Sequence, residues 1–135
     1  MLAYVLSTLY EARSTMAVSL SELEKAVTSL EAALRLELND IVRDAAIQRF
    51  EFCIELSWKN ARKVMGTATT APKQVVREMA QNGVIDDVLV WLEAIDKRNL
   101  SSHTYNETLA VEVYEFARSF QPQLDTVLIR LRALV

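Results

Sequence analysis

Cysteine, glycine and proline are nearly absent from these 135 residues, which hold one Cys, two Gly and two Pro. The lone Cys53 excludes an intrachain disulfide, and its place in an apolar helical stretch makes it a small hydrophobe, so a reducing cytoplasm is the expected compartment. So few glycines and prolines exclude a fold of hairpins and tight turns. Histidine occurs once, as His103, and no Cx2C or HExxH pattern is present, so neither a metal nor any other cofactor is expected. Gly66 and Gly83 stand alone and form no phosphate-cradling loop. The apolar opening MLAYVLSTLY lacks a basic leader and a small-residue cleavage site, and Glu11 and Arg13 end it short of a membrane span. A net charge of −3, with a pI near 5.2, excludes a surface that coats nucleic acid generally but leaves room for a small basic cleft.

What is present is helix-compatible: Ala, Leu, Glu, Arg and Val dominate. A chain of this length buries roughly 68–70% of its unfolded surface, enough for one domain without staples. The expectation is an all-α protein, a compact up-and-down bundle of about five helices over residues 16–135. Residues 1–15 are expected to be an N-terminal extension, with Met16 as an alternative start.

Leu20, Leu23, Val27, Leu30, Leu34 and Leu38 recur at spacings of three and four, which predicts a helix over 19–38. Ser19 with Glu22, or Ser21 with Glu24, reads as its capping box. Asn39 or Asp40 caps the next helix, to residue 65, which carries two apolar stripes. Ile47, Phe50, Ile54, Trp58, Ala61 and Met65 form one; Ile41, Ala45, Phe52 and Leu56 form the other. A helix apolar on two sides is either central to a bundle or shared between the core and a subunit interface. Pro72 opens a short helix that ends at Asn82-Gly83, with Gly83 in the left-handed region. Asp86 or Asp87 caps a helix bearing Val88, Trp91, Leu92 and Ile95. Asn106 caps the last helix, where Pro122 is expected to force a kink or restart.

Chemistry concentrates in RNLSSHTY, residues 98–105. Histidine titrates near neutral pH and can take the proton of a ribose 2′-hydroxyl, while arginine can hold charge growing on the attacked phosphate. Arg98 and His103 are thus the candidate catalytic pair for RNA cleavage, with Asn99 and Ser102 in support. The leaving oxygen also needs an acid, and with one histidine per chain a second copy must bring it, which predicts a functional homodimer. The alternative is plain structure: a cation in the last turn of a helix is favourable in itself, and Ser and His are ordinary helix-end residues. That option predicts that Arg98→Ala alters stability more than any activity.

Three stretches in order, RDAAIQRFEFCIELSWK (43–59), PKQVVREMAQNGVI (72–85) and WLEAIDKRNLSSHTYNE (91–107), resemble the HEPN superfamily. The closest branch is the nucleotidyltransferase substrate-binding proteins, which includes HepT-like toxins. The resemblance spans roughly residues 19–130. Arg98, Asn99, His103 and Tyr105 match its RN-x3-H and R-x4-H-x-Y patterns. It implies a HEPN-like bundle, an RNase toxin with Arg98 and His103 in a cleft between two subunits, and a separately encoded minimal nucleotidyltransferase that attaches AMP to Tyr105. A phosphate-bearing group on Tyr105 would place charge and bulk beside Arg98 and His103 and so block RNA. The older name of the branch implies a rival, a non-catalytic substrate-binding subunit of a two-component nucleotidyltransferase. The chain is not itself the transferase, since it has no Gly-Ser dipeptide. Ala71 stands before Pro72 where the family often has Ser.

Overall fold

Five α-helices and one 3-10 turn make up the computed structural model, which describes residues 18–135. The expected N-terminal extension over residues 1–15, with the alternative start at Met16, lies outside the described residues. The helices are α1 (Ser21–Arg35), α2 (Asp40–Met65), α3 (Pro72–Gln81), α4 (Val88–Leu100) and α5 (Glu107–Leu134). No strand occurs among the described residues, and none of their helices is long and apolar enough to cross a membrane.

α1 is shorter than the predicted 19–38, and its capping box does not form. Leu20 occupies the N-cap because its side chain is drawn into the core, and Ser19 Oγ instead accepts from the Ser21 N–H at 3.3 Å. The helix stops at Arg35 because Leu36 turns extended, which brings Asn39 into position to cap α2. Leu23, Val27 and Leu30 are buried as their spacing requires, while Leu38 lies beyond the helix and is exposed.

Asn39 Oδ1 accepts from the Val42 N–H at 2.8 Å, satisfying one of the free donors that begin α2. α2 packs against all four other helices and is the centre of the bundle. Its first stripe is buried through Ile47, Phe50, Ile54, Trp58 and Ala61. The second finds no complete cover among the described residues: Ile41 is 81% exposed and Phe52 50%.

Both glycines close helices with φ near +70°, Gly66 at +68° and Gly83 at +73°. After α3, the Gly83 N–H reaches Ala80 O and the Val84 N–H reaches Met79 O at 2.8 Å, the paired bonds of a Schellman ending. Arg130 on α5 then grips Asp86 with two bonds of 2.7 and 2.8 Å, tying the α3–α4 connection to the far helix.

α5 runs through Pro122 as one helix, so of the expected kink or restart the restart does not occur. A proline inside a helix costs about 3 kcal/mol. Continuing the helix keeps Leu124, Val127, Leu128 and Leu131 buried, each worth about 1.5–3 kcal/mol, so packing outweighs the lost bond. Phe120 lies edge-on to Trp91 (4.8 Å between ring centres) and Phe50 (6.2 Å), which locks α2, α4 and α5 together.

Candidate functional site

The eight residues of RNLSSHTY fall where α4 ends and α5 begins. Arg98 sits in the last turn of α4, Ser101–His103 form the 3-10 turn, and Asn106 starts α5 by accepting the Leu109 N–H on Oδ1 at 3.2 Å. The Asn106 N–H in turn donates to His103 O at 3.0 Å, so the histidine backbone is pinned by the cap of the next helix.

Ser101 anchors the turn to the core. It is buried, and its hydroxyl lies 2.6 Å from Arg98 O and 2.9 Å from Glu51 Oε2 on α2. The same carboxylate meets Arg98, with Nη2 3.4 Å from Glu51 Oε1, while Arg98 Nε lies 2.7 Å from Glu55 Oε1. The Nε–H is not aimed at that oxygen, so this contact is coulombic rather than a directed hydrogen bond. Arg98 is 28% exposed and is thus held between two glutamates one helical turn apart. Lys59 approaches Glu55 at 3.2 Å, so positive and negative charge are locally balanced.

His103 and Tyr105 face solvent beyond this anchor. Nδ1 of His103 and the Tyr105 hydroxyl are 3.2 Å apart, with the rings edge to face at 5.9 Å. Tyr105 is 86% exposed, and the bond leaves His103 Nε2 unengaged. Ser102 Oγ donates to Asn99 O at 3.2 Å, a local turn bond that keeps the hydroxyl off the histidine. Asn99 also lines a pocket of about 300 Å³, together with Glu55, Pro72, Lys73, Ile95 and Arg98.

Of the five residues expected to act together, His103 and Tyr105 are in contact, Arg98 is turned toward α2, and Asn99 and Ser102 flank it. Sequence reasoning missed Glu51, Glu55 and Ser101. The one available signal was that Glu51 and Glu55 share a helical face at a spacing of four. Cys53, close by on α2, is no nucleophile: burial, with a smaller push from the Glu31 charge, drives its thiol up to about 12.

Residues 18–133 match the family described as nucleotidyltransferase substrate binding protein like. A Haemophilus influenzae protein named probable ribonuclease HepT is 31% identical over 103 residues, covering 70% of each chain. Among solved structures, a crystal structure of a Thermus thermophilus protein is 35% identical with a TM-score of 0.75, covering 82% of this chain and 98% of that one. A second, from Haemophilus influenzae, was described as revealing the fold of a substrate binding domain of a nucleotidyltransferase. It is 30% identical with a TM-score of 0.74, over 84% of this chain and 99% of its own.

Proposed function

Because this chain belongs to the nucleotidyltransferase substrate binding protein-like family, we propose that it is the toxin of a two-gene toxin–antitoxin pair. It cuts RNA without a metal and is regulated by a separately encoded minimal nucleotidyltransferase. The similarity to a probable ribonuclease supports the RNase half of this reading. The observation that carries it is the solvent-facing His103, oriented through Nδ1 by Tyr105 and offering Nε2 to a substrate.

The reaction that suits these groups begins with a ribose 2′-oxygen attacking the adjacent phosphorus. The new O–P bond forms as the bond to the 5′-oxygen breaks, leaving a 2′,3′-cyclic phosphate and a 5′-hydroxyl. With Nδ1–H donating to Tyr105, His103 Nε2 takes the 2′ proton. Arg98 offers its guanidinium to the charge growing on the phosphate, while Glu51 and Glu55 fix the direction of its fork. The proton for the departing 5′-oxygen comes from the His103 of a second copy, and the open side of α2 at Ile41 and Phe52 supplies apolar surface for such a homodimer. When the transferase moves AMP from ATP to the Tyr105 oxygen, the new O–P bond forms as the bond to pyrophosphate breaks and the phenolic proton is lost, and the resulting phosphodiester puts negative charge against His103 and in the path of RNA. Residues 16–135 act as the HEPN-like domain.

A second reading, a non-catalytic subunit that presents substrate to the transferase, has its own support. Two carboxylates already compensate Arg98, which weakens its pull on an RNA phosphate. Growth after induction of this chain alone, beside His103→Ala at equal expression, separates the two. Arrest that disappears in the variant supports the toxin; equal, harmless growth overturns it in favour of the binding subunit.

A further inference from the structure

Arg98 and Ser101 stand three positions apart, so both reach toward α2 where α4 runs into the 3-10 turn. Opposite them α2 presents one carboxylate whose two oxygens meet different partners. Glu51 Oε1 lies 3.4 Å from Arg98 Nη2, and Glu51 Oε2 lies 2.9 Å from Ser101 Oγ. The other side-chain hydrogen bonds of residues 99–105 are local: Ser101 to Arg98 O, Ser102 to Asn99 O, and His103 with Tyr105. Among the described residues, the bond from Ser101 to Glu51 is thus the one side-chain hydrogen bond that ties the turn to α2, across fifty positions of sequence.

Ser101 has one hydroxyl proton and two acceptors within reach, Arg98 O at 2.6 Å and Glu51 Oε2 at 2.9 Å, so the two share it in a three-centre bond. The residue is buried, which leaves water little access to either contact. A 3-10 turn of three residues has few bonds of its own, and those of poor geometry, so an outside tie decides where its side chains stand. His103 ends that turn two residues beyond Ser101, and its imidazole moves with it.

We propose that Glu51 and Ser101 are positioning residues of the Arg98–His103 site: one carboxylate on α2 fixes the guanidinium and the imidazole relative to each other. Neither touches substrate. Glu51 sets the guanidinium through Oε1 and the histidine turn through Oε2 and Ser101, so the two functional groups shift together if α4 slides on α2. Glu51→Gln preserves this link, because the new amide N–H donates to Ser101 Oγ while the amide oxygen still faces Arg98. Glu51→Asp breaks it, because the shorter arm withdraws both oxygens by about 1.5 Å. For its effect on rate, though not for its effect on geometry, the proposal rests on the RNase reading of the site.

His103 is the only histidine in the chain, so its ring protons give a unique signal in proton NMR of the full-length protein. The observable is the nuclear Overhauser effect between the rings of His103 and Tyr105, which lie edge to face at 5.9 Å between centres. Melting curves check that each variant is folded. The signal is expected at full strength in wild type, Ser101→Thr and Glu51→Gln, and weakened at least about twofold in Ser101→Ala and Glu51→Asp. Wild-type strength in either of the last two overturns the proposal. If Ser101→Ala fails to fold, Glu51→Asp, at a side chain 32% exposed, decides in its place. In cleavage of a labelled RNA, Ser101→Ala is expected to lower kcat about ten- to hundredfold and to leave KM within about threefold, since Arg98 keeps its contact with Glu55. Ser101→Thr restores the hydroxyl and recovers most of that loss, whereas a serine of purely structural value would lower the melting temperature and leave the kcat of folded protein unchanged. Equal kcat in wild type and folded Ser101→Ala overturns the proposal while the RNase reading stands. A wild type that cuts no RNA overturns the RNase reading alone, and the ring-to-ring signal then decides the positioning by itself.

Discussion

Tyr105→Phe separates two roles that one hydroxyl can play. The side chain is 86% exposed and its only hydrogen bond among the described residues is the 3.2 Å contact with His103 Nδ1, so removing the oxygen should change stability by no more than about 1 kcal/mol. An exposed hydrogen bond is worth about 0.5–1 kcal/mol net. If its work is to orient the imidazole, its loss should slow RNA cleavage by about two- to fivefold. Removing the base itself, by His103→Ala, should cost about 10²–10⁴. The same Tyr105→Phe protein should accept no AMP from the partner transferase, because the acceptor oxygen is gone. The assay is cleavage of a labelled RNA by the three proteins, alongside incorporation of labelled AMP. Two results refute the reasoning. A Tyr105→Phe loss as large as that of His103→Ala would mean the hydroxyl meets the substrate directly, and persisting AMP incorporation would place the modification on another residue.

Three further outcomes concern the scaffold. Gly83→Ala forces a Cβ into a backbone at φ +73°, and should lower unfolding free energy by about 1–2 kcal/mol in urea titrations although nothing nearby obstructs the methyl. Asn39→Ala removes the acceptor that holds the Val42 N–H, and should cost about 1 kcal/mol by the same measurement. Cys53 rises from the ordinary 9.0 to about 12 on folding. Its thiol therefore stays neutral in the folded chain while ionising in the unfolded one, and stability should fall as pH climbs above about 9. The fall should be shallower in Cys53→Ala, compared by chemical denaturation across that range, and a native protein that reacts quickly with a thiol reagent at neutral pH would contradict the burial.

How much of this was legible in the sequence depended on the range of the interaction. Asn39 as a cap and Gly83 as a left-handed helix ending are decided within four or five residues, and both are found as their types demand. The buried stripe of α2 followed from helical spacing alone. The capping box failed because burial of Leu20 overrode a local preference of about 1 kcal/mol. Pro122 failed as a break for the same kind of reason on a larger scale. At the site, RNLSSHTY located His103 beside Tyr105 because a single residue separates them. The glutamates that restrain Arg98 are more than forty positions away in sequence, and only the packing of α4 on α2 brings them together.

The turn that carries His103 and Tyr105 is anchored from below by one buried residue, Ser101, and capped from above by Asn106. Everything between them projects outward from a scaffold that need not open. An enzyme that modifies the Tyr105 oxygen therefore meets its acceptor in the native ensemble, with no unfolding step ahead of the chemistry. Its rate should scale with how often the two proteins collide, and so fall with added salt if charge guides the encounter. Mutations that loosen the bundle should leave that rate almost unchanged until the chain itself melts.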